Sequence, residues 1–217
     1  MPSPSNPNHS PYADPAINHI YNMLFCDDPS AFAPQPGSDP ARWPLWQKAV
    51  FARQVDANTV RGVANDPEQD PRVRCLAMNW LRRQGHPVPA RQLFGAVLEV
   101  PLEHGLDVLA VYTDGSVRYL NHRAAPTLVE GPLPALQPVV QRLLQTAKVI
   151  VDQIGPSEVA RQPAPAGNVR LNFLVSDGLY FGEGPMNALS QDGLAGPLLH
   201  AGGQLIGQLA ELASARR

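Results

Sequence analysis

Four ionisable side chains in the middle of the chain have the types and spacing that acid–base or metal chemistry needs. Glu99, Glu103 and Asp107 lie close together, and an Asp-Gly hairpin turn places His122 opposite Asp107. A carboxylate that fixes the tautomer of an imidazole is how catalytic and metal-binding histidines are oriented. One prediction is therefore a small hydrolase or a metal-assisted enzyme that uses Asp107 and His122 with Glu99 or Glu103. The alternative is a partly exposed cross-strand pair at the open end of a hairpin.

A carboxylate between two glycines, in the GEGP sequence of residues 182–185, is the second candidate site. Glycines let a ligand or another backbone approach closely, and Tyr180 and Phe181 come directly before them. We expect Glu183 to leave a strand opposite Asn172. The predicted binding surface therefore consists of Tyr180, Phe181, Glu183 and Asn172, and a solvated, glycine-rich strand exit is the alternative.

Linear motifs of the common chemistries are missing from the sequence. It contains no nucleophile elbow, phosphate-binding loop, dinucleotide-binding glycine pattern, zinc-binding histidine pair at helical spacing or CxxC motif. Cys26 and Cys75 lie among apolar residues on predicted helices, which favours buried reduced thiols over a disulfide or metal ligands. We expect neither a cofactor nor a bound metal.

Composition favours recognition of a protein partner. The net charge of −2 and the charged fraction of 17% give no basic field for nucleic acid and no polybasic patch for a membrane. The N-terminal residues have no basic or apolar region of a secretory signal, so we expect a cytoplasmic location. The leading prediction is a non-catalytic protein-binding module, such as an adaptor, a regulator or an immunity-type protein. A homodimer is the other assembly that this interpretation allows.

Strands and helices that position these residues follow the proline-rich segment 86–89. Three strand-like stretches between Leu93 and His122, with a turn at Asp114-Gly115, predict a meander in which Tyr112 pairs with Val117. A helix over 136–154, a second hairpin at Asp177-Gly178 and a last helix over 198–213 follow. This order predicts an α+β fold, with helices packed on an antiparallel sheet of five or six strands. It is loosely similar to the profilin-like and roadblock-like domains.

Three regions are predicted along the chain. Residues 1–13 are expected to form a disordered tail, residues 14–86 a helical subdomain with a proline-rich loop over 27–44, and residues 90–217 the α+β domain. The last helix of the subdomain resembles the second half of a HEAT-type repeat, which implies one helical hairpin. The matching residues are Asp70, Pro71, Val73, Arg74, Ala77, Leu81 and Gly85. The boundary predicts that residues 90–217 fold by themselves.

Overall fold

The computed structural model describes residues 9–51 and 54–215, and in these ranges it confirms the α+β fold with N-terminal helices. The described residues form seven α-helices and one six-stranded antiparallel sheet. None of these helices combines the length and the apolar character that crossing a membrane requires.

The helices and strands begin and end close to the predicted positions. The helices are α1 Pro15–Met23, α2 Leu45–Phe51, α3 Ala57–Asn65, α4 Pro71–Arg83, α5 Gln137–Gln153, α6 Met186–Gln191 and α7 Ala195–Ala215. The strands are β1 Leu93–Leu102, β2 Gly105–Tyr112, β3 Val117–Leu120, β4 Pro126–Val129, β5 Asn168–Val175 and β6 Gly178–Pro185. Aspartate side chains at Asp14, Asp56 and Asp70 accept hydrogen bonds from the first free N–H groups of α1, α3 and α4.

The sheet has the strand order β4-β3-β2-β1-β5-β6, so β1 lies at its centre. Helices α1 to α4 contribute buried side chains to the core on one face of the sheet, and α5 and α7 to the core on the other face. We call these the N-terminal face and the C-terminal face. Because β1 is covered on both faces, six consecutive residues from Phe94 to Glu99 are buried.

The first hairpin differs from the predicted register by one residue. Val111 pairs with Val117 and Val108 with Leu120, so the predicted pairs of Tyr112 with Val117 and of Asp107 with His122 are wrong. The reason is local: the turn has three residues, and Gly115 adopts a left-handed φ of +84°.

The second hairpin differs from the predicted register by two residues. Its turn lies at Ser176-Asp177, so Asn172 pairs with Phe181 and Arg170 pairs with Glu183. The predicted pairing of Asn172 with Glu183 is therefore wrong. A shift of two keeps each side chain on its predicted face, because side chains alternate between the faces with a period of two.

The N-terminal region packs more closely on the rest of the chain than the sequence indicated. His9 and Tyr12 are buried, and Tyr12 Oη donates to the backbone oxygen of Leu106 at 2.9 Å. The prediction of disorder is thus wrong for residues 9–13, whereas residues 1–8 lie outside the described residues. One continuous core contains side chains from both the 14–86 and the 90–217 regions, so the segment 86–89 separates two layers that share a core. The short helix α6 was not predicted.

Candidate functional site

Glu99 lies at the centre of the N-terminal face. The β1 strand carries it between β2 and β5, where its side chain is fully buried. Tyr21 Oη of α1 donates to Oε1 at 2.6 Å, and Asn172 Nδ2 of β5 donates to Oε2 at 2.8 Å. Burial raises the pKa of Glu99, and the two hydrogen bonds only partly offset this effect. The carboxylate therefore connects α1 to two neighbouring strands.

A buried arginine extends this polar cluster towards the surface. Arg161, in the segment after α5, places its guanidinium over the Phe25 ring, with 3.9 Å between Cζ and the ring centroid. It donates to the Asp27 carboxylate at 2.7 Å and to Asn22 Oδ1 at 3.1 Å. Burial disfavours the charged form of this side chain, but the Asp27 carboxylate outweighs burial and raises the pKa of Arg161. Arg161 is therefore a permanent positive charge inside the fold.

Arg170 of β5 completes the cluster at the end of the sheet. Its Nε donates to Glu183 Oε2 at 2.8 Å, and its guanidinium lies 4.8 Å from the centroid of the Phe181 ring. The side chains of Arg170 and Glu183 are 8% and 22% exposed. Arg170 pairs directly with Glu99 across β1 and β5, and Asn172, two residues further along β5, is buried with an Oδ1 atom that has no hydrogen-bond donor among the described residues.

Beside the cluster lies a cleft of about 800 Å³, which we call the charged cleft. Its walls come from the segment 25–29, from α4, from the segment 156–161 and from the hairpin between β5 and β6. Arg161 and Asp27 belong both to its wall and to the buried cluster. The charged residues that line it are Asp27, Asp28, Glu158 and Asp177, together with Arg82, Arg83 and Arg161. Charges of both signs therefore face one concave surface.

Both cysteines lie near this cleft, and they are buried and free, as predicted. The Cys26 thiol donates to the backbone oxygen of Met23 at 3.9 Å, and burial, together with the neighbouring Cys75 thiol, raises the pKa of Cys26 well above its usual range. Asn79 Nδ2 donates to the backbone oxygen of Cys26 at 2.9 Å and so fixes the end of α1 to α4. A thiol with a raised pKa is a poor nucleophile, so Cys26 contributes to packing and is not a candidate nucleophile.

The residues predicted as a binding surface lie on two faces of the sheet. Tyr180 is buried in the C-terminal face, where its Oη bonds to the Asp177 carboxylate at 3.1 Å. Phe181, Glu183 and Asn172 lie on the N-terminal face with Arg170. The GEGP sequence continues β6 to Pro185 instead of leaving the sheet, and Glu183 is held in an ion pair. The expectation that Glu183 leaves the strand and belongs to an exposed binding surface is therefore wrong.

The residues of the predicted enzyme site are only partly brought together. Asp107 accepts from the backbone N–H of His122 at 2.6 Å and contacts the ring Nδ1 at 3.2 Å. Asp107 pairs with Val100, which places it on the C-terminal face, opposite to Glu99. Glu103 lies at the turn between β1 and β2 with its side chain 88% exposed. Within the described ranges, no three histidine, cysteine, aspartate or glutamate residues form a group that could hold a metal.

Arg161 and Asp27 were not identified from the sequence as functional candidates. Arg161 begins a proline- and alanine-rich linker, and Asp27 follows a predicted helix, so both positions are typical of solvated loops. The two residues are 134 positions apart, and only the packing of α1 against the sheet brings them together. An isolated arginine within an apolar linker was the one available signal, and it is a weak one.

Comparisons with protein-family models, with curated protein sequences and with solved structures find no match for this chain.

Proposed function

We propose that this protein is a non-catalytic binding module that recognises a polypeptide segment of a partner protein in the charged cleft. An adaptor, a regulator or an immunity-type protein would use such a site. The observation that carries the proposal is one concave surface of about 800 Å³ whose walls hold both acidic and basic side chains. Two buried, free cysteines are in keeping with a reducing compartment, and we propose the cytoplasm.

The chemistry of the walls favours a polypeptide over a small metabolite. Pockets for small molecules are mostly apolar, with a few polar groups that fix orientation. The charged cleft instead presents arginines at the end of α4 and carboxylates in the facing segments 25–29 and 156–161. A peptide with lysine or arginine next to glutamate or aspartate would complement both.

The same charges argue against nucleic acid as the ligand. Arg82 and Arg83 are exposed and would attract phosphate, but Asp28, Glu158 and Asp177 share their surface. Binding to a nucleic acid backbone needs an uninterrupted basic surface, because each phosphate contact adds to affinity by releasing counterions. We therefore propose a protein partner, with neither nucleic acid nor a membrane as the target.

The enzyme alternative keeps one supporting observation, the contact between Asp107 and His122. Glu99 lies on the opposite face of the sheet from this pair, and the Glu103 side chain is 88% exposed at the turn between β1 and β2. We therefore rank binding above catalysis. Self-association is the alternative assembly, because β4 and β6 are the edge strands of the sheet and can each pair with another strand.

The test is a capture experiment with matched charge reversals. The full-length protein is immobilised, its partner is captured from the native host and identified, and the affinity of the purified partner is measured by calorimetry. Arg83→Glu reverses a charge in the cleft, whereas Arg123→Glu reverses an exposed charge at the turn after β3. Arg83 also donates to the backbone oxygen of Asp27 at 2.6 Å, so Arg83→Glu should cost about 0.5–1.5 kcal/mol of folding free energy. Arg123→Glu should cost no more than about 0.5 kcal/mol.

We expect Arg83→Glu to weaken partner binding about tenfold or more, and Arg123→Glu to leave it unchanged. Equal affinity of the Arg83→Glu variant and the wild type contradicts the proposed cleft. Light scattering that shows a stable dimer with no captured partner favours self-association instead.

A further inference from the structure

A second cavity lies on the opposite face of the sheet and has a different character. It has a volume of about 210 Å³ and lies between β1, β2 and the helices α6 and α7. Its wall is apolar apart from one carboxylate, and includes Leu98, Val100, Leu109, Leu199, Ile206 and Asp107. Among the described residues, Asp107 is the only ionisable one that lines it. We call it the apolar pocket.

The Asp107 carboxylate in this wall is held by hydrogen bonds, but they do not occupy all of its acceptor positions. Its Oδ1 accepts from the backbone N–H of His122 at 2.6 Å and contacts His122 Nδ1 at 3.2 Å. Its Oδ2 accepts from Tyr119 Oη at 2.8 Å. An ionised carboxylate offers about four acceptor positions, so one position on Oδ2 remains open. The side chain is 19% exposed and lines the pocket, so a ligand there can reach the carboxylate.

We propose that the apolar pocket binds a small aliphatic primary amine as its ammonium ion. The alkyl chain would lie against the leucine and isoleucine side chains, and the ammonium group would donate to Asp107 Oδ2. Charge complementarity selects this occupant, because a fixed negative charge in an apolar wall favours a cation, repels a carboxylate and leaves a neutral alcohol without ionic attraction.

The volume of the apolar pocket also limits the size of the ligand. A volume of 210 Å³ equals about seven water molecules at their share of the liquid. A chain of about five carbons with one nitrogen therefore matches the pocket in size. The site lies across the sheet from the charged cleft and does not depend on the proposed function.

The first test uses three ligands of one size on the full-length protein. Pentylamine, pentanol and pentanoate are titrated at neutral pH, and amide chemical shifts are followed by NMR. We expect pentylamine to bind about tenfold or more tightly than pentanol, with the largest shifts along β1, β2 and α7, and pentanoate not to bind. Equal affinities of amine and alcohol, or no binding of either, would overturn the proposal. Tighter binding of Nα-acetyl-lysine amide than of pentylamine would overturn the free amine as the occupant.

Two glycines of α7 provide a matched pair of variants. Gly203 lines the apolar pocket, Gly207 lies one turn further along the helix outside it, and a Cβ atom at either position meets no atom within 4 Å. We expect Gly203→Leu to fill the pocket and abolish amine binding, and Gly207→Leu to bind like the wild type. Neither variant should lower the melting temperature. Amine binding that survives in Gly203→Leu, or that both variants lose equally, contradicts the location of the site.

A third variant measures how much the negative charge of Asp107 contributes to amine binding. Asp107→Asn should reduce pentylamine affinity to that of pentanol and leave pentanol binding unchanged, because the amide keeps the shape but not the charge. Its melting temperature is measured in parallel, since Asp107 also contacts Tyr119 and His122. If Asp107→Asn does not fold, the ligand series and the two glycine variants decide the question.

Discussion

The two faces of the sheet are built from different chemistry. All four buried polar residues on the described strands, Glu99, Arg118, Arg170 and Asn172, lie on the N-terminal face. The buried core of the C-terminal face consists of alanine, valine, leucine, isoleucine and aromatic side chains from the sheet, α5 and α7. The charged cleft and the apolar pocket differ in the same way, since the charged cleft adjoins the first face and the apolar pocket the second.

This difference indicates which face is specialised for recognition. An apolar core is stabilised by burial alone, whereas a buried charge is tolerated only if partners replace its lost hydration. On the N-terminal face, Glu99 and Arg161 are buried although burial removes their hydration. Arg161 also lines an open cleft. The polar cluster therefore sets the geometry of the cleft wall, and the apolar cores on both faces supply stability. Truncation of the chain and substitutions on each face test whether the polar cluster and the apolar cores have these separate roles. Truncation should have the largest effect on stability.

Removal of residues 1–89 should prevent the rest of the chain from folding. Although the segment 86–89 suggested an independent domain over 90–217, the fragment would expose Glu99, Asn172 and the apolar strand residues that α1 to α4 cover. Circular dichroism and proton NMR of the 90–217 fragment should show a disordered or molten chain. Dispersed amide signals would instead show that the C-terminal face alone supports the fold.

Arg161→Met should be the most damaging single substitution in the polar cluster. Removal of one partner from a buried ion pair costs about 3–5 kcal/mol, because the other charge remains without compensation. Asp27 keeps 12% of its side chain exposed, so we expect a loss of about 3 kcal/mol in urea unfolding. Arg142→Met, on the exposed side of α5, is the matched control and should cost less than about 0.5 kcal/mol.

Adding Asp27→Asn to Arg161→Met distinguishes charge from packing. If the unpaired carboxylate causes the loss, the double variant should be more stable than Arg161→Met alone. If the double variant is no more stable, the contact of Arg161 with the Phe25 ring is the dominant contribution.

The comparison of the two faces also shows what the sequence could predict. The C-terminal face follows from local patterns, since α5 has an apolar stripe and the strands carry turn signals at their ends. The register of both hairpins could not be predicted, because a three-residue turn and a two-residue turn share the same Asp-Gly signal. The polar cluster could not be predicted either. Tyr21 and Arg161 are 140 positions apart, and their contact exists only in the folded chain.

Glu99→Gln should change how stability depends on pH. The raised pKa of Glu99 means that the folded protein binds this proton more tightly than the unfolded chain. Stability from Glu99 is therefore fully present below the ordinary glutamate value of 4.5 and is lost as the pH rises through the raised pKa. The free energy of unfolding of the wild type, relative to Glu99→Gln, should fall across this window and then stay level.

Guanidinium unfolding at several pH values between about 4 and 8 measures this difference. Glu103→Gln, at a side chain that is 88% exposed, is the matched control and should follow the wild type at every pH. A constant offset between Glu99→Gln and the wild type would show that the Glu99 proton is not linked to folding.

The smallest effect concerns the glycines of α7, the helix that covers the apolar face. At Gly207 a Cβ atom meets nothing within 4 Å, so Gly207→Ala should stabilise the protein by about 0.5–1 kcal/mol through helix propensity. At Gly196 a Cβ atom would lie 2.7 Å from the backbone oxygen of Ser190, which cannot move away as a side chain would. Gly196→Ala should therefore destabilise the same helix, because the contact between α6 and α7 requires glycine. Thermal unfolding of the two variants should give shifts of opposite sign. A rise in melting temperature for both would show that α6 can move away from α7, and that the C-terminal face is less tightly packed at this end than its core.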